Sequence, residues 1–241
     1  MSDSVENGAR PSFPGGFFSR LAGIVISPKK VFSQVDSGAP WWEPWVWASL
    51  VYMIVGYLMA PVQLRLFRLR EGQMPQEEFD RAIETMQSFP IKYLGIISAP
   101  LTTLIVAVIF ALVSYIAVSG LAERSSFKKH LTICLWGTVV WWLGVLVSTV
   151  VVRLKGIEQI RTVRDAAAPF GPAAFVSDAN RIWFALLSTL DVFALWFYVL
   201  VVMGVVHVFR LSGRSAVLVV IPIWLVYVLF ELIGARMAGL Q

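Results

Sequence analysis

The stretch that decides the fold is RIWFALLSTLDVFALWFYVLVVMGVVHVFRLSGRSAVLVVIPIWLVYVLFELIGARM, from Arg181 to Met237. It contains two long apolar runs, Ile182–Val208 and Ala216–Ile233, joined by the short basic turn Arg210–Arg214. A helix needs roughly 20 apolar residues to cross the hydrocarbon core of a bilayer, and each run approaches or exceeds that length. Because the turn is short, the two helices must lie side by side and antiparallel. The stretch therefore predicts a membrane-spanning helical hairpin.

Each helix of this hairpin carries one carboxylate, Asp191 in the first and Glu231 in the second. Counted from Ser212 in the turn, Asp191 lies 21 residues back and Glu231 lies 19 residues forward. At a rise of ~1.5 Å per residue, the two acids are predicted to lie within ~3 Å of the same depth. Ionisable residues inside a span are costly, so this pair is a candidate functional site.

The candidate site extends to polar neighbours of the two acids. Ser188, Asp191 and Tyr198 share one face of a continuous helix, and Tyr227 shares a face with Glu231 on the next. We expect these faces to meet each other or a small cavity, where one carboxylate shares a proton or binds a cation. In a structural alternative, the acids reach water, cap other helices or pair with a basic side chain. The candidate partners are Arg153, Lys155 and Arg236.

The composition places the protein in a membrane. Hydrophobic residues make up 58% of the chain and charged residues 15%, whereas soluble domains have about 45–50% and about 25%. The net charge of +5 is typical of orientation signals and of contact with anionic lipid in a membrane protein. We therefore expect the lipid bilayer, and no nucleic acid, as a partner.

Three further apolar runs precede the hairpin, so the sequence predicts an all-α, polytopic bundle of five transmembrane helices. The predicted spans are about 45–60, 93–119, 131–152, 182–209 and 216–237. Pro61 is expected to end the first span, and Pro100 to kink the second. Residues 1–14 are polar and predicted to be a disordered leader, so that residues 15–241 form one membrane domain.

Two short amphipathic helices are predicted before the first span. Apolar side chains recur at helical spacing between Phe17 and Ile26, and Ser27-Pro28 begins a second helix that carries Lys29 and Lys30 on its polar side. These helices either lie in the membrane interface or pack on the bundle, because both arrangements bury the same apolar faces.

The expected orientation places the N-terminus in the cytoplasm and the C-terminus outside, since five spans put the two ends on opposite sides. The short links Gly120–Lys129 and Arg210–Arg214 are dense in Lys and Arg and nearly free of acids, as expected of cytoplasmic loops. The expected location is the bacterial cytoplasmic (inner) membrane.

Motifs of soluble enzyme chemistry are absent from the sequence. The chain has no P-loop, no G-x-G-x-x-G fingerprint, no H-E-x-x-H zinc motif and no G-x-S-x-G nucleophile elbow. The two histidines, His130 and His207, have no second ligand at metal-binding spacing. We therefore expect no enzyme activity, no catalytic residue, no cofactor and no metal site.

The order of several short motifs resembles a known family. Ile26-Ser27-Pro28-Lys29-Lys30-Val31-Phe32 precedes a tryptophan-rich start of the first span. Further markers follow in the last two spans: Trp196, Gly204, Ser212, Arg214-Ser215-Ala216 and Pro222. With five spans and a polar leader, this order resembles the Yip (Ypt/Rab-interacting protein) domain family in its prokaryotic form, from about Phe17 to Ile233.

The resemblance implies a five-helix membrane domain with a cytoplasmic N-terminus. Eukaryotic members act in vesicle trafficking and membrane shaping, and they bind prenylated small GTPases. Those members have an Asp-Leu-x-Gly-Pro-type motif before the first span, where this chain has Ser27-Pro28. We therefore do not expect small-GTPase binding here, and the resemblance implies no catalytic residue.

The sequence favours a non-enzymatic protein that organises or shapes the membrane, or that acts as a scaffold for membrane-protein partners or for its own self-association. Helices that wedge into one leaflet would serve this role. A small transporter or channel-like protein that uses Asp191 and Glu231 is the alternative. A membrane enzyme acting on lipid is a weaker third hypothesis, because only the same two acids could serve it.

Overall fold

The computed structural model describes residues 16–36, 38–69, 71–88, 93–94, 96–122, 125–162, 164–176 and 180–237, so the predicted leader, residues 1–14, lies outside them. Within the described residues the chain is built from α-helices and short 3-10 turns. The helices are α1 (Phe17–Ile26), α2 (Pro28–Asp36), α3 (Trp42–Arg68), α4 (Gln76–Gln87), α5 (Ala99–Ser119), α6 (Phe127–Lys155), α7 (Arg181–Ser188), α8 (Val192–Phe209) and α9 (Gly213–Met237).

Five of these helices, α3, α5, α6, α8 and α9, are long and apolar enough to cross a membrane, which confirms the all-α, five-span architecture. Many large apolar side chains on their outer faces are exposed, among them Ile116, Leu225 and Leu229. A water-facing surface would not carry so many, whereas a lipid-facing surface requires them.

The first two spans differ from their predicted bounds at prolines. α3 continues through Pro61 to Arg68, because the proline removes only one hydrogen bond and a long transmembrane helix tolerates that loss. Pro100 lies in the first turn of α5, where its missing N–H has no helical partner to lose. It therefore begins the regular helix and does not kink it.

The fourth span is broken, which corrects the prediction of one continuous helix over 182–209. α7 ends at Ser188, and α8 begins at Val192. Thr189 lies fully buried at the break and donates its hydroxyl to the Leu186 carbonyl at 2.7 Å. Its oxygen also accepts from the indole N–H of Trp224 on α9 at 3.1 Å. These bonds satisfy polar groups at the break and fix it against the neighbouring helix.

α6 is the central helix, packed against α3, α5 and α8. Two of its glycines allow α8 to approach closely. A Cβ at Gly144 would lie 2.3 Å from Cγ of Phe193, and a Cβ at Gly137 would lie 3.0 Å from Cδ2 of Phe197. α9 completes the bundle by packing on α5, α7 and α8.

α1 and α2 form an N-terminal hairpin that packs on α6 and α8. Phe32 is fully buried against α8, where a Cβ added to Gly204 would lie 3.1 Å from its ring. Arg20 on α1 forms an ion pair with Glu43 at the start of α3. Of the two arrangements considered for these helices, the structure has the one in which they pack on the bundle.

The N-terminal hairpin covers only one half of the bundle's length. Its buried contacts run along the first half of α6, from Ile133 to Val140, and along α8 from Leu200 to Val208, with Phe193 at their edge. We call this end of the bundle the hairpin half. The end of α6 and the start of α8 lie in the opposite half, which we call the cavity half because it contains the cavity described next.

Candidate functional site

A cavity of about 730 Å³ opens in the cavity half of the bundle. Its main walls come from α3 and α6, and residues 166–170 of the connection between α6 and α7 add a third. Smaller contributions come from Met86 on α4, Ile96, α7, the start of α8, and two residues of α9. Most lining residues are half-buried, so the cavity is open to the surroundings of the bundle. Apolar and small residues dominate the lining; its polar members include Gln63, Ser148, Thr149, Ser188, Asp191, Tyr227 and Glu231.

The structure brings four of the five predicted site residues to this cavity: Ser188, Asp191, Tyr227 and Glu231. Tyr198 does not line it. Its side chain is buried in the packing between α8 and its neighbours, and its hydroxyl has no hydrogen-bond partner among the described residues. The predicted polar face from Ser188 through Asp191 to Tyr198 is also wrong as a helical face, because the chain breaks between α7 and α8.

Asp191 is the N-cap of α8 and lies before its first turn. One carboxylate oxygen accepts the backbone N–H of Phe193 at 2.9 Å. The other accepts the backbone N–H of Phe170 at 2.7 Å. The first bond satisfies a free donor at the helix start, and the second attaches the long connection to the same point. Both oxygens of Asp191 are thus used to hold the backbone in place.

The connection from residue 166 to residue 171 folds back against the bundle at this point. The backbone N–H of Ala168 donates to the hydroxyl of Ser148 on α6 at 3.2 Å. Gly171 passes so close to the break before α8 that an added Cβ would lie 2.9 Å from the Leu190 carbonyl oxygen. The ring of Phe170 packs edge-on against Phe193, with centroids 5.6 Å apart. The connection therefore forms part of the cavity wall.

Glu231 differs from Asp191 in its bonding. No backbone N–H among the described residues donates to its carboxyl group, which lines the cavity one helical turn after Tyr227 on α9. Among the described residues, neither acid forms an ion pair with a basic side chain. Glu231 is therefore the acid of the site that can offer its carboxyl group to a ligand.

Sequence reasoning missed the contribution of Ser148 and of residues 166–171. The segment Pro169-Phe170-Gly171-Pro172 reads as a helix breaker in the sequence. Nothing in its pattern indicates that it returns to Asp191, since the contact joins positions about 20 residues apart. No three His, Cys, Asp or Glu side chains come together as a metal site would require within the part of the chain that the structure describes.

Comparison with known proteins identifies the family of this chain. A model of the Yip1 domain matches residues 22–233, which extend from α1 into α9. The membrane protein YknW of Bacillus subtilis (strain 168) is 20% identical over 212 residues, and the match covers 88% of either chain. No solved structure gives a significant match. The family model covers most of the sequence, and this chain therefore belongs to the Yip1 domain family of membrane proteins.

Proposed function

We propose that this protein is a non-enzymatic membrane organiser that widens one leaflet of the bilayer. The observation that carries the proposal is the difference between the two halves of the bundle. The hairpin half holds α1 and α2 in addition to the spans, whereas the opposite half contains an open cavity. A body that is wider at one end prefers a curved bilayer, with the wide end in the expanded leaflet.

The exposed face of α1 supports this role. Phe18 is 76% exposed and Ile26 is 79% exposed, although both belong to a helix whose other side is packed on the bundle. Apolar side chains of this size gain free energy by entering the acyl region of a leaflet, about 25 cal/mol for each Å² removed from water. The hairpin would then add both its own volume and these side chains to one leaflet.

The basic links support a cytoplasmic location for the widened end. The turn between α8 and α9 lies at the hairpin half and carries Arg210 and Arg214, both exposed. Positive residues in short links favour the cytoplasmic side of a bacterial inner membrane. The proposed orientation therefore has the N-terminus in and the C-terminus out, with the cavity half toward the outer leaflet.

Curvature sorting tests the proposal. The protein is reconstituted into vesicles of one lipid composition and mixed diameters, and its surface density is measured against diameter. We expect enrichment on small vesicles that have the hairpin half outward. The variant Phe18→Ala/Ile26→Ala should lower this enrichment, because it narrows the wide end.

Leu225→Ala/Leu229→Ala is the matched control, since it removes exposed apolar groups from α9, away from the hairpin. Its enrichment should equal that of the unmodified chain. A surface density that is independent of diameter, or an equal loss in both variants, would contradict the leaflet-widening function.

The cavity supports transport as a second candidate function. It contains two carboxyl groups, Asp191 and Glu231, which could carry a proton or cation. The hairpin half is closed in this conformation by packed side chains such as Phe32, Ile133 and Trp136, so transport would require that packing to open. Flux of cations or protons into vesicles that is lost in Glu231→Gln would support this candidate. Absence of flux would contradict it, and the organiser role would then be the remaining candidate.

A further inference from the structure

The cavity has the properties of a ligand site whose polar end is acidic. Val55, Met59 and Val145 represent its apolar walls, while Glu231 and Tyr227 mark the end near α9. Pockets that bind small molecules are mostly apolar with a few converging polar groups, and their volumes are about 300–1,000 Å³. The 730 Å³ of this cavity lies within that range.

We infer that the cavity binds an amphiphile with a protonated primary amine and an alkyl chain, the ammonium at Glu231 and the chain along the apolar walls. The inference does not depend on leaflet widening, because it concerns the opposite half of the bundle. Neither the proposed curvature function nor membership of the family implies a ligand of this class.

The charge of the lining favours a cation. Two carboxyl groups line the cavity, and none of the described residues that line it is basic; Arg65 and Arg153 lie in the same half but are not among its lining residues. A buried carboxylate needs a charged or hydrogen-bonding partner. An ammonium group supplies both and carries three N–H donors.

Glu231, and not Asp191, is assigned to the ammonium because the two acids differ in their existing bonds. Both oxygens of Asp191 accept backbone N–H groups of Phe170 and Phe193. Glu231 accepts no backbone N–H from the described residues, and both of its oxygens retain acceptor capacity at the cavity wall. Asp191 therefore adds negative charge to the site while Glu231 accepts the hydrogen bonds.

The apolar part of the ligand follows from the walls and from their exposure. α3, α6 and α9 are spans with exposed apolar side chains on their outer faces, and each contributes half-buried side chains to the cavity. An alkyl chain can enter from the bilayer without crossing water. A polar amine without a chain would leave the apolar walls uncovered, and for that reason an amphiphile is assigned.

Binding is tested with dodecylamine on the whole protein in phosphatidylcholine nanodiscs, with dodecanol and dodecanoic acid as probes of equal chain length. Thermal unfolding is followed by a thiol-reactive dye, because the single cysteine of the chain, Cys134, is fully buried. We expect a saturable rise in Tm with dodecylamine and a smaller or absent rise with the other two. In Glu231→Gln, the half-saturating concentration should increase about ten-fold or more, the effect of losing a charge-assisted bond.

Two variants serve as controls. Glu77→Gln neutralises an exposed acid on α4, outside the cavity, and should leave dodecylamine binding unchanged. Ala60→Phe keeps every acid but fills the cavity from α3, and it should remove the response. It also tests the site if Glu231→Gln does not fold. Equal responses to all three probes, or full dodecylamine binding in Ala60→Phe, would overturn the inference.

The same ammonium chemistry could come from an aminophospholipid head group. Nanodiscs that contain phosphatidylethanolamine distinguish the two sources. If this lipid itself raises Tm and abolishes the dodecylamine response, the cavity takes a head group from the bilayer. If the response to dodecylamine persists unchanged, the cavity takes a free amphiphilic amine. Either result supports an ammonium site, and a cavity indifferent to both amines does not have one.

Discussion

Arg20 on α1 and Glu43 at the start of α3 form a two-point ion pair in which the side chains are only 11% and 5% exposed. The Nε of Arg20 donates to one carboxylate oxygen at 2.7 Å, and a terminal nitrogen of the guanidinium donates to the other. The pair joins the N-terminal hairpin to the first span across 23 residues of sequence. It is the strongest charge contact between the hairpin and the spans that the structure describes.

Removal of one partner of this pair should destabilise the fold more than removal of both. Arg20→Met leaves Glu43 charged and buried, which costs about 3–5 kcal/mol. Arg20→Met/Glu43→Leu removes the unpaired charge and should recover most of that loss. The free energy of unfolding in detergent, followed by labelling of Cys134, measures both. Equal destabilisation by the two variants would show that the pair contributes through shape and not through charge.

Gly144→Ala should destabilise the bundle at the contact between α6 and α8. The new Cβ would lie 2.5 Å from Cβ of Phe193, an atom that cannot move without the backbone of α8. Overpacking of this kind costs about 1–3 kcal/mol. Gly234→Ala on α9 is the control, because nothing lies within 4 Å of its added Cβ. Unfolding in detergent should show a loss for the first variant and none for the second.

Asp191→Ala should loosen the wall of the cavity while the five spans remain folded. The change removes the acceptors for the N–H groups of Phe170 and Phe193, which costs about 1–2 kcal/mol as the loss of an N-cap and one further bond. Hydrogen exchange at these two amides should accelerate, and the connection at residues 164–176 should become sensitive to protease. Glu231→Gln leaves both bonds intact and should change neither measurement.

The connection between α6 and α7 should loosen in acid through Asp165. Its carboxylate accepts the backbone N–H groups of Arg161 and Thr162, each at 2.9 Å. The bond from Arg161, with smaller contributions from Thr162 and from the charge of Lys155, holds the pKa of Asp165 below its ordinary value.

Because the folded pKa of Asp165 is lowered, the stabilisation is complete at neutral pH and is lost as the pH falls below about 4, toward the lowered pKa. NMR shifts of the Arg161 and Thr162 amides should report this titration. Asp165→Asn has no carboxylate, so the shifts of the same amides should then be independent of pH in that range. Persistent titration in the variant would assign the effect to another group.

The span count could be read from the sequence. Apolar runs near 20 residues can satisfy their backbone in lipid only as helices. The short turn at Ser212 then forces the last two spans to be antiparallel. Asp191 and Glu231 both line one cavity, and their common depth in the membrane stays a prediction. The number and direction of the spans depend on the length of each apolar run and on the turn between runs, and both can be read from residues that are close in the sequence.

The roles of those acids could not be read from the sequence, because each role depends on distant partners. Asp191 is the N-cap of α8 because the fourth span breaks just before it, where Thr189 hydrogen-bonds with Trp224 of α9. Glu231 keeps acceptor capacity because no basic side chain packs beside it among the described residues.

The sequence by itself determined a five-span membrane bundle with two amphipathic helices before it, because apolar length and periodicity are local properties of the chain. Only the tertiary structure decided that α1 and α2 pack on the bundle, that Arg20 meets Glu43, and that residues 166–171 return to Asp191. Each of these joins positions about 20 or more residues apart. These contacts depend on the complementary shapes of surfaces that are distant in the sequence, and the hydropathy pattern does not encode those shapes.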